Sequence, residues 1–162
     1  MGVSGAGKST VGSALAQRLR VPFVDADILH PPANIAKMAA GEPLDDDDRR
    51  PWLDAVGEWL AGHRSGGVAS CSAPKRAYRD RLRAHCPRVE FLHLSGSPEL
   101  IGARVAARAG HFMPAALLRS QFEVLEPLGA DEAGVTVDVG RDVGAICDAY
   151  LSASAARRCA DG

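Results

Sequence analysis

Gly2-Val3-Ser4-Gly5-Ala6-Gly7-Lys8-Ser9 is the most informative stretch of this 162-residue chain. It fits the pattern G-x-x-x-x-G-K-[ST], which is typical of a loop that binds the phosphates of a nucleotide. Its glycines let successive backbone N–H groups turn inward toward an anion. The pattern assigns Lys8 to the β- and γ-phosphates and the Ser9 hydroxyl to Mg²⁺, and the following helix points its positive end at the phosphates. The sequence therefore predicts a nucleotide site at this loop.

Composition excludes several classes of protein. A hydrophobic content of 46% and a charged content of 24% are ordinary for a globular protein, and the length suits one domain, residues 1–162. A net charge of −1 gives no basic field for nucleic acid or a membrane surface. No apolar run approaches the ~20 residues that span a membrane. The cysteines lack C-x-x-C spacing and fit a reducing compartment, so we expect a cytoplasmic protein.

Strand-like and helix-like segments alternate along the chain. The expected strands are 22–25, 68–71, 89–94 and 135–139, and amphipathic helical patterns separate them. This alternation predicts an α/β fold with a parallel sheet. Residues 28–66 form a long helical insertion between two of the strands.

Acidic residues occur at two informative places. Asp25 and Asp27 follow the first of these strands at i and i+2, so in an extended chain both would point toward the crevice at the carboxyl end of the sheet. Asp45 to Asp48 precede a helix expected from Arg49 to His63. We interpret these four as capping residues that complement the helix dipole, rather than as metal ligands.

Basic residues add two further signals. Only three of the 19 basic residues are lysines, Lys8, Lys37 and Lys75, so each marks a place where a compact ammonium could contact a ligand. Arg104 and Arg108 lie at i and i+4 just before Gly110. This arrangement predicts an arginine-bearing lid, residues about 108–126, that closes over the phosphates.

The chain resembles the gluconate kinases (gluconokinases) almost from end to end. The phosphate loop alone indicates only a nucleotide, whereas several other stretches are more specific to that family. These stretches are Asp25-Ala26-Asp27-Ile28-Leu29-His30-Pro31, Asn34 to Met38, Gly41 to Leu53, Cys71 to Arg83, Gly110-His111-Phe112 and Ser120 to Glu126.

The resemblance implies a P-loop kinase with a three-layer fold and a parallel sheet of order 2-3-1-4-5. Such an enzyme transfers the γ-phosphoryl group of ATP to the 6-hydroxyl of D-gluconate, with Mg²⁺ as cofactor. The resemblance is also compatible with a homodimer. ATP and Mg²⁺ would be held by Gly2, Val3, Ser4, Gly5, Ala6, Gly7, Lys8, Ser9 and Thr10, with Ser9 and Asp25 toward the metal.

The resemblance also implies roles around the acceptor, which the insertion would hold. Asp27 would accept the proton of the gluconate hydroxyl, and Arg104 and Arg108 would join Lys8 in neutralising the phosphates. The sugar acid needs cations and hydrogen-bonding groups. Besides Asp27, its expected ligands are His30, Asn34, Lys37, Arg49, Lys75 and Arg79.

Other functions stay open at this point. A shikimate-type or nucleoside-monophosphate-type kinase shares the loop and the paired aspartates. A GTPase-like switch is disfavoured, because Asp131-Glu132-Ala133-Gly134 precedes a strand and no Asn-Lys-x-Asp motif is present. A nucleotide-binding protein without catalysis is the third alternative.

The strand that leads into the loop has no residues in this sequence, which begins at Met1-Gly2. In the implied fold that strand lies mid-sheet, so without it Val68–Cys71 and Val89–Leu94 would be roughly 10 Å apart. We therefore expect a strand-wide gap between them. We also expect that Met1 is not the native start and that about 5–6 apolar residues precede it.

Overall fold

The computed structural model describes residues 1–107 and 115–160. Helices and strands alternate along this described part, which confirms the α/β class. Their bounds are α1 Lys8–Leu19, β1 Phe23–Asp25, α2 Pro32–Ala39, α3 Asp46–Gly62, β2 Val68–Ser70, α4 Arg76–His85, β3 Phe91–Ser95, α5 Pro98–Ala106, α6 Ala115–Glu123, β4 Gly134–Asp138 and α7 Val143–Ala160. Among these helices, none is both long enough and apolar enough to cross a membrane.

The strands form two separate parallel pairs. β1 pairs with β2, with Phe23 opposite Val68, and β3 pairs with β4, with Phe91 opposite Gly134. Within residues 1–107 and 115–160 no ladder joins β2 to β3. In the expected order 2-3-1-4-5, strand 1 is the one that has no residues in this sequence. Without it the order leaves the pairs 2-3 and 4-5, which correspond to β1–β2 and β3–β4, so the predicted order agrees with the structure.

Hydrophobic cores lie on both faces of the strands, which gives three layers. One core joins α1, α5, α6 and α7 to β3 and β4 and includes Leu15, Leu94 and Ile146. The other joins α3 and α4 to the opposite face of β3 through Trp52, Leu82 and Phe91. Leu94 and Phe91 serve opposite cores because neighbouring side chains of a strand point to opposite faces.

A cavity of about 1200 Å³ separates the two strand pairs. Its lining includes residues 68–71 on one side and 89–92 on the other. Met1 lies at its end and bonds β3: its amine donates to the Leu92 carbonyl at 2.5 Å, and its carbonyl accepts from Leu94 N–H at 2.9 Å. The expected strand-wide gap is therefore present, while the native start of the chain stays a prediction.

Two helices are longer than the sequence pattern suggests. α3 begins at Asp46 rather than Arg49, because Asp45 and Asp48 form a capping box one turn earlier. The sequence pattern predicts a closing helix from Val143 to Ser154 and a frayed tail after it, whereas α7 continues to Ala160. Arg157 holds this end through the Glu90 carboxylate at 2.6 Å and the Gly134 carbonyl at 3.0 Å.

Candidate active site

The phosphate loop depends on glycines with positive φ. Gly5 has φ 80° and Gly7 has φ 86°, both in the left-handed region that disfavours side chains. A Cβ at Gly5 would also lie only 2.4 Å from Val105 Cγ2. Gly7 leads directly into α1, whose first turn carries no acidic residue and has no side-chain cap in the described part of the chain. The first amides of α1 are therefore open to an anion.

Lys8 lies along the inner side of this loop. Its ammonium donates to the Val3 carbonyl at 3.1 Å. Burial lowers the pKa of Lys8, and the nearby carboxylates of Asp27 and Asp25 oppose that shift. A buried ammonium with one neutral hydrogen-bond partner is ready to pair with phosphate oxygens.

Ser9 and Asp25, which the resemblance assigns to the metal, are hydrogen-bonded to each other. The Ser9 hydroxyl donates to Asp25 Oδ2 at 2.5 Å, and Asp25 Oδ1 accepts from Asp27 N–H at 3.2 Å. Hard oxygen atoms of this kind suit Mg²⁺, which usually takes one or two protein ligands and completes its shell with phosphates and water. The described residues contain no cluster of three or more histidine, cysteine, aspartate or glutamate side chains that could hold a metal ion by themselves.

Asp27 is exposed, but it does not lie in an extended segment, as the i, i+2 pattern predicted. β1 ends at Asp25, and Asp27 lies in a 3₁₀ turn, Ala26–Leu29, that Asp25 caps. The strand-based argument was therefore wrong, since the capping bond curls the chain after Asp25. The turn nevertheless joins Asp27 to the phosphate loop and to His30: its N–H shares the Asp25 carboxylate with Ser9, and its carbonyl accepts from His30 N–H at 3.5 Å.

His30, Asn34 and Lys37, three of the predicted acceptor ligands, contact α3. The His30 ring stacks on Trp52 with centroids 4.4 Å apart and an interplanar angle of 9°. The Asn34 amide contacts His30 Nδ1 at 3.3 Å and donates to the Asp48 carbonyl at 2.8 Å. Lys37 pairs with the Asp48 carboxylate at 2.6 Å. These contacts dock α2 onto the start of α3, so part of each side chain's capacity is used within the protein.

Arg49 and Lys75, two more of the predicted acceptor ligands, lie around the Tyr78 ring. The Arg49 guanidinium lies 6.0 Å from the ring centroid and the Lys75 ammonium 5.5 Å from it. Lys75 bonds both oxygens of Asp46 at 2.8 Å, and the Tyr78 hydroxyl donates to the same carboxylate at 2.5 Å. Arg49 bonds only the Leu44 carbonyl, at 3.3 Å, among residues 1–107 and 115–160. Its guanidinium is therefore available to a carboxylate ligand.

Arg79 requires a correction, because the structure places it in the interior and not on the acceptor side. Its side chain is 0% exposed. It donates to Glu132 Oε1 at 2.7 Å and Oε2 at 2.8 Å, and to carbonyls of Ala73, Pro74, Glu126 and Pro127. With its donors used in this way, Arg79 joins segments of the chain and has no free group for a substrate.

The predicted lid arginines have different outcomes. Arg104, near the end of α5, donates to the Val139 carbonyl at 2.6 Å. Arg108 and Gly110 lie outside the described residues, so the predicted lid can be compared with the structure only from α6 onward. Within α6, Gln121 contacts the phosphate loop: Ser4 N–H donates to Gln121 Oε1 at 2.7 Å, and Gln121 Nε2 donates to Ser4 Oγ at 3.2 Å.

Sequence reasoning missed Asp46, Trp52, Tyr78 and Gln121 as site residues. Tyr78 could have been found, since it lies three positions after Lys75 on the same face of a helix. Asp46 was assigned to helix capping, and the capping interpretation of the four aspartates is confirmed by the box that Asp45 and Asp48 form. The second role of Asp46, holding Lys75, depends on a contact between residues 29 positions apart. The pairing of Gln121 with Ser4 spans 117 positions and has no local signal.

Comparison with known proteins agrees with this geometry. The shikimate kinase family profile matches residues 4–120. The thermosensitive gluconokinase of Escherichia coli (strain K12) is 48% identical over 147 residues, covering 88% of this chain and 79% of that protein. The gluconokinase of Gluconobacter oxydans (strain 621H) is 49% identical over 142 residues, covering 85% and 79%.

A solved structure gives the same result. The crystal structure of a gluconokinase from Sinorhizobium meliloti 1021 superposes with a TM-score of 0.84 at 49% identity, covering 96% of this chain and 89% of that one. Sequence and fold therefore agree over most of the chain. The chain is a P-loop kinase that belongs to the shikimate-kinase-like family and, within it, to the gluconokinases.

Proposed function

We propose that the chain transfers the γ-phosphoryl group of ATP to the 6-hydroxyl of D-gluconate, giving 6-phospho-D-gluconate and ADP. The observation that carries this proposal is the position of Asp27. Its N–H donates at 3.2 Å to the Asp25 carboxylate that Ser9 of the phosphate loop also contacts, and its carbonyl accepts from the N–H of His30, a predicted acceptor ligand, at 3.5 Å. The substrates named for the relatives, gluconokinases, support the choice of acceptor.

The phosphate loop would position the nucleotide. Its backbone N–H groups and the first amides of α1 would bind phosphate oxygens, and the Lys8 ammonium would bridge toward the transferred group. Mg²⁺, held by Ser9 and reached by Asp25, would supply charge neutralisation between the β- and γ-phosphates. The Ser9–Asp25 bond of 2.5 Å holds these two oxygen ligands together in advance.

Asp27 would handle the proton. As the 6-hydroxyl oxygen of gluconate forms its bond to phosphorus, the bond from phosphorus to the leaving ADP oxygen breaks. The hydroxyl proton passes to the Asp27 carboxylate. No covalent enzyme intermediate is needed, so positioning and charge stabilisation account for the catalysis.

Arg49 would bind the gluconate carboxylate. A guanidinium offers two parallel N–H groups that match a carboxylate, and Arg49 has no carboxylate partner in the described part of the protein. Lys37 and Lys75 are each already paired with an aspartate. They would contact hydroxyl groups of the acceptor together with His30 and Asn34.

A coupled ADP-release assay tests the proposal. Purified protein with MgATP should release ADP with D-gluconate and not with shikimate or nucleoside monophosphates. Asp27→Asn should lower turnover by about 10²–10⁴-fold with little change in ATP binding. Release with shikimate or a nucleoside monophosphate, but not with gluconate, would overturn the assignment of the acceptor.

Arg49 and Arg50 provide a matched pair for the acceptor. Arg49→Ala should raise the KM for gluconate at least about tenfold, because a charge-assisted bond contributes about 1.5–3 kcal/mol. Arg50 is exposed and pairs only with Asp47 among the described residues, so Arg50→Ala should leave the KM unchanged. Equal effects of the two substitutions would contradict the role of Arg49.

A further inference from the structure

The side chain of Gln121 lies against the phosphate loop. Its amide makes two hydrogen bonds to one residue, Ser4: the Ser4 N–H donates to Oε1 at 2.7 Å, and Nε2 donates to the Ser4 hydroxyl at 3.2 Å. Leu118, one turn earlier on the same face of α6, is buried in the core that also contains Val3 and Ala6. α6 is therefore joined to the loop by a two-point polar contact and shares a hydrophobic core with it.

Ser4 lies where the terminal phosphate is expected. Lys8, which the loop pattern assigns to the β- and γ-phosphates, currently donates to the carbonyl of Val3, the residue next to Ser4. Because the Ser4 hydroxyl accepts from Gln121, its own hydrogen remains able to donate. The second hydrogen of Gln121 Nε2 has no other acceptor among the described residues. Two neutral donors thus lie together at one end of the loop.

We propose that Gln121 is a positioning residue that orients the Ser4 hydroxyl toward the γ-phosphoryl group and thereby makes the contact of α6 with the loop depend on that group. This inference rests on the proposed use of ATP. A nucleotide with a γ-phosphoryl group would be bound by the Ser4–Gln121 pair, whereas ADP would lack the oxygens that the pair contacts. α6 would then be held against the loop more tightly with ATP than with ADP, which distinguishes substrate from product.

The test compares nucleotide binding and turnover in four proteins. Wild type, Gln121→Ala, Gln121→Glu and Ser120→Ala are titrated calorimetrically with ADP and with a non-hydrolysable ATP analogue, without gluconate. Ser120 is an exposed neighbour on α6 that bonds only the Leu117 carbonyl within the described residues, so it controls for general effects on the helix.

We expect Gln121→Ala to weaken binding of the ATP analogue by about tenfold, the loss of roughly one hydrogen bond to a charged group. ADP binding should change by less than about twofold. Gln121→Glu keeps the acceptor for Ser4 N–H but puts a negative charge beside the phosphate, so it should weaken the analogue more than Gln121→Ala does. kcat should fall in both variants, whereas the KM for gluconate and the Tm should stay at the wild-type values. Ser120→Ala should match wild type throughout.

A double-mutant cycle with Ser4→Ala isolates the pair. The double variant should bind the analogue no more weakly than the single variant with the larger loss, since both substitutions remove the same Ser4–Gln121 contact. Additive effects, or equal losses for ADP and the analogue, would overturn the inference. A wild-type protein that binds neither nucleotide would instead refute the proposed function, so the two failures are distinguishable.

Discussion

Arg79 and Glu132 form an ion pair in which both side chains are 0% exposed. Such a pair has given up its hydration, so its stability depends on complete hydrogen bonding. Arg79 was expected on the acceptor side because the resemblance to gluconokinases gave it as one of the cations for the sugar acid. Its burial could not be predicted from the sequence around it, since its carboxylate partner lies 53 positions later. The phosphate loop could be predicted, because all its functional groups lie within nine consecutive residues.

Replacing Glu132 should cost stability rather than substrate affinity. Glu132→Gln leaves a buried guanidinium without its countercharge, so the free energy of unfolding should fall by about 3–5 kcal/mol at pH 7. Urea unfolding measures this loss, with Glu58→Gln as the control because Glu58 is exposed. If Glu132→Gln instead kept the wild-type free energy of unfolding and raised the KM for gluconate, the pair would be assigned to the substrate site.

The same pair predicts a pH dependence. The hydrogen bond from Arg79 lowers the pKa of Glu132 from 4.5 to about 2. A depressed carboxyl pKa stabilises the fold fully above the unfolded value, so this contribution should be lost as pH falls from about 4.5 toward 2. The free energy of unfolding of Glu132→Gln should therefore depend less on pH in that range than that of the wild type. Parallel profiles for the two proteins would contradict the prediction.

At the scale of elements, the start of α3 organises the acceptor region. Asp45 and Asp48 cap the helix, and Asp48 also holds Lys37 from α2. Asp46 holds Lys75 and Tyr78 at the start of α4. The sequence predicted the helix and its acidic start. It could not predict that these carboxylates also position cations, because those contacts depend on how α2 and α4 pack.

Asp46 and Asp47 are neighbours with different expected roles. Asp46→Asn removes the charge that holds Lys75 and Tyr78, so it should raise the KM for gluconate by about 3- to 10-fold, while ATP binding stays unchanged. Asp47 pairs only with the exposed Arg50 in the described part of the chain, so Asp47→Asn should have no effect. Steady-state kinetics with each substrate varied in turn provides the measurement. An effect of Asp46→Asn on the KM for ATP alone would contradict this role.

At the scale of the whole molecule, the sheet is divided by the cavity of about 1200 Å³. Its division could be predicted, because the resemblance to gluconokinases implies the strand order and the sequence begins at the loop. The hydrogen bonds that Met1 makes there could not be predicted. Met1 bonds Leu92 and Leu94 as the last residue of a parallel strand would. In parallel geometry, the residue two positions earlier would bond Glu90 and Leu92, and the residue directly before Met1 would face β2.

An extended segment placed before Met1 should therefore stabilise the protein. We predict that adding five or six apolar, β-branched residues joins β2 to β3 and pairs backbone groups that each cost ~1–3 kcal/mol when left unpaired in the interior. At about 2–4 °C per kcal/mol for a domain of this size, a net gain of about 2.5 kcal/mol corresponds to a rise in Tm of roughly 5–10 °C. Thermal unfolding measures the change, and an extension of equal length made of Gly and Ser is the control. Hydrogen exchange should also slow at Ala69 and Leu92, whose N–H groups would face the added strand. Equal Tm values for the two extensions, with exchange unchanged at both amides, would show that the cavity does not accept a strand.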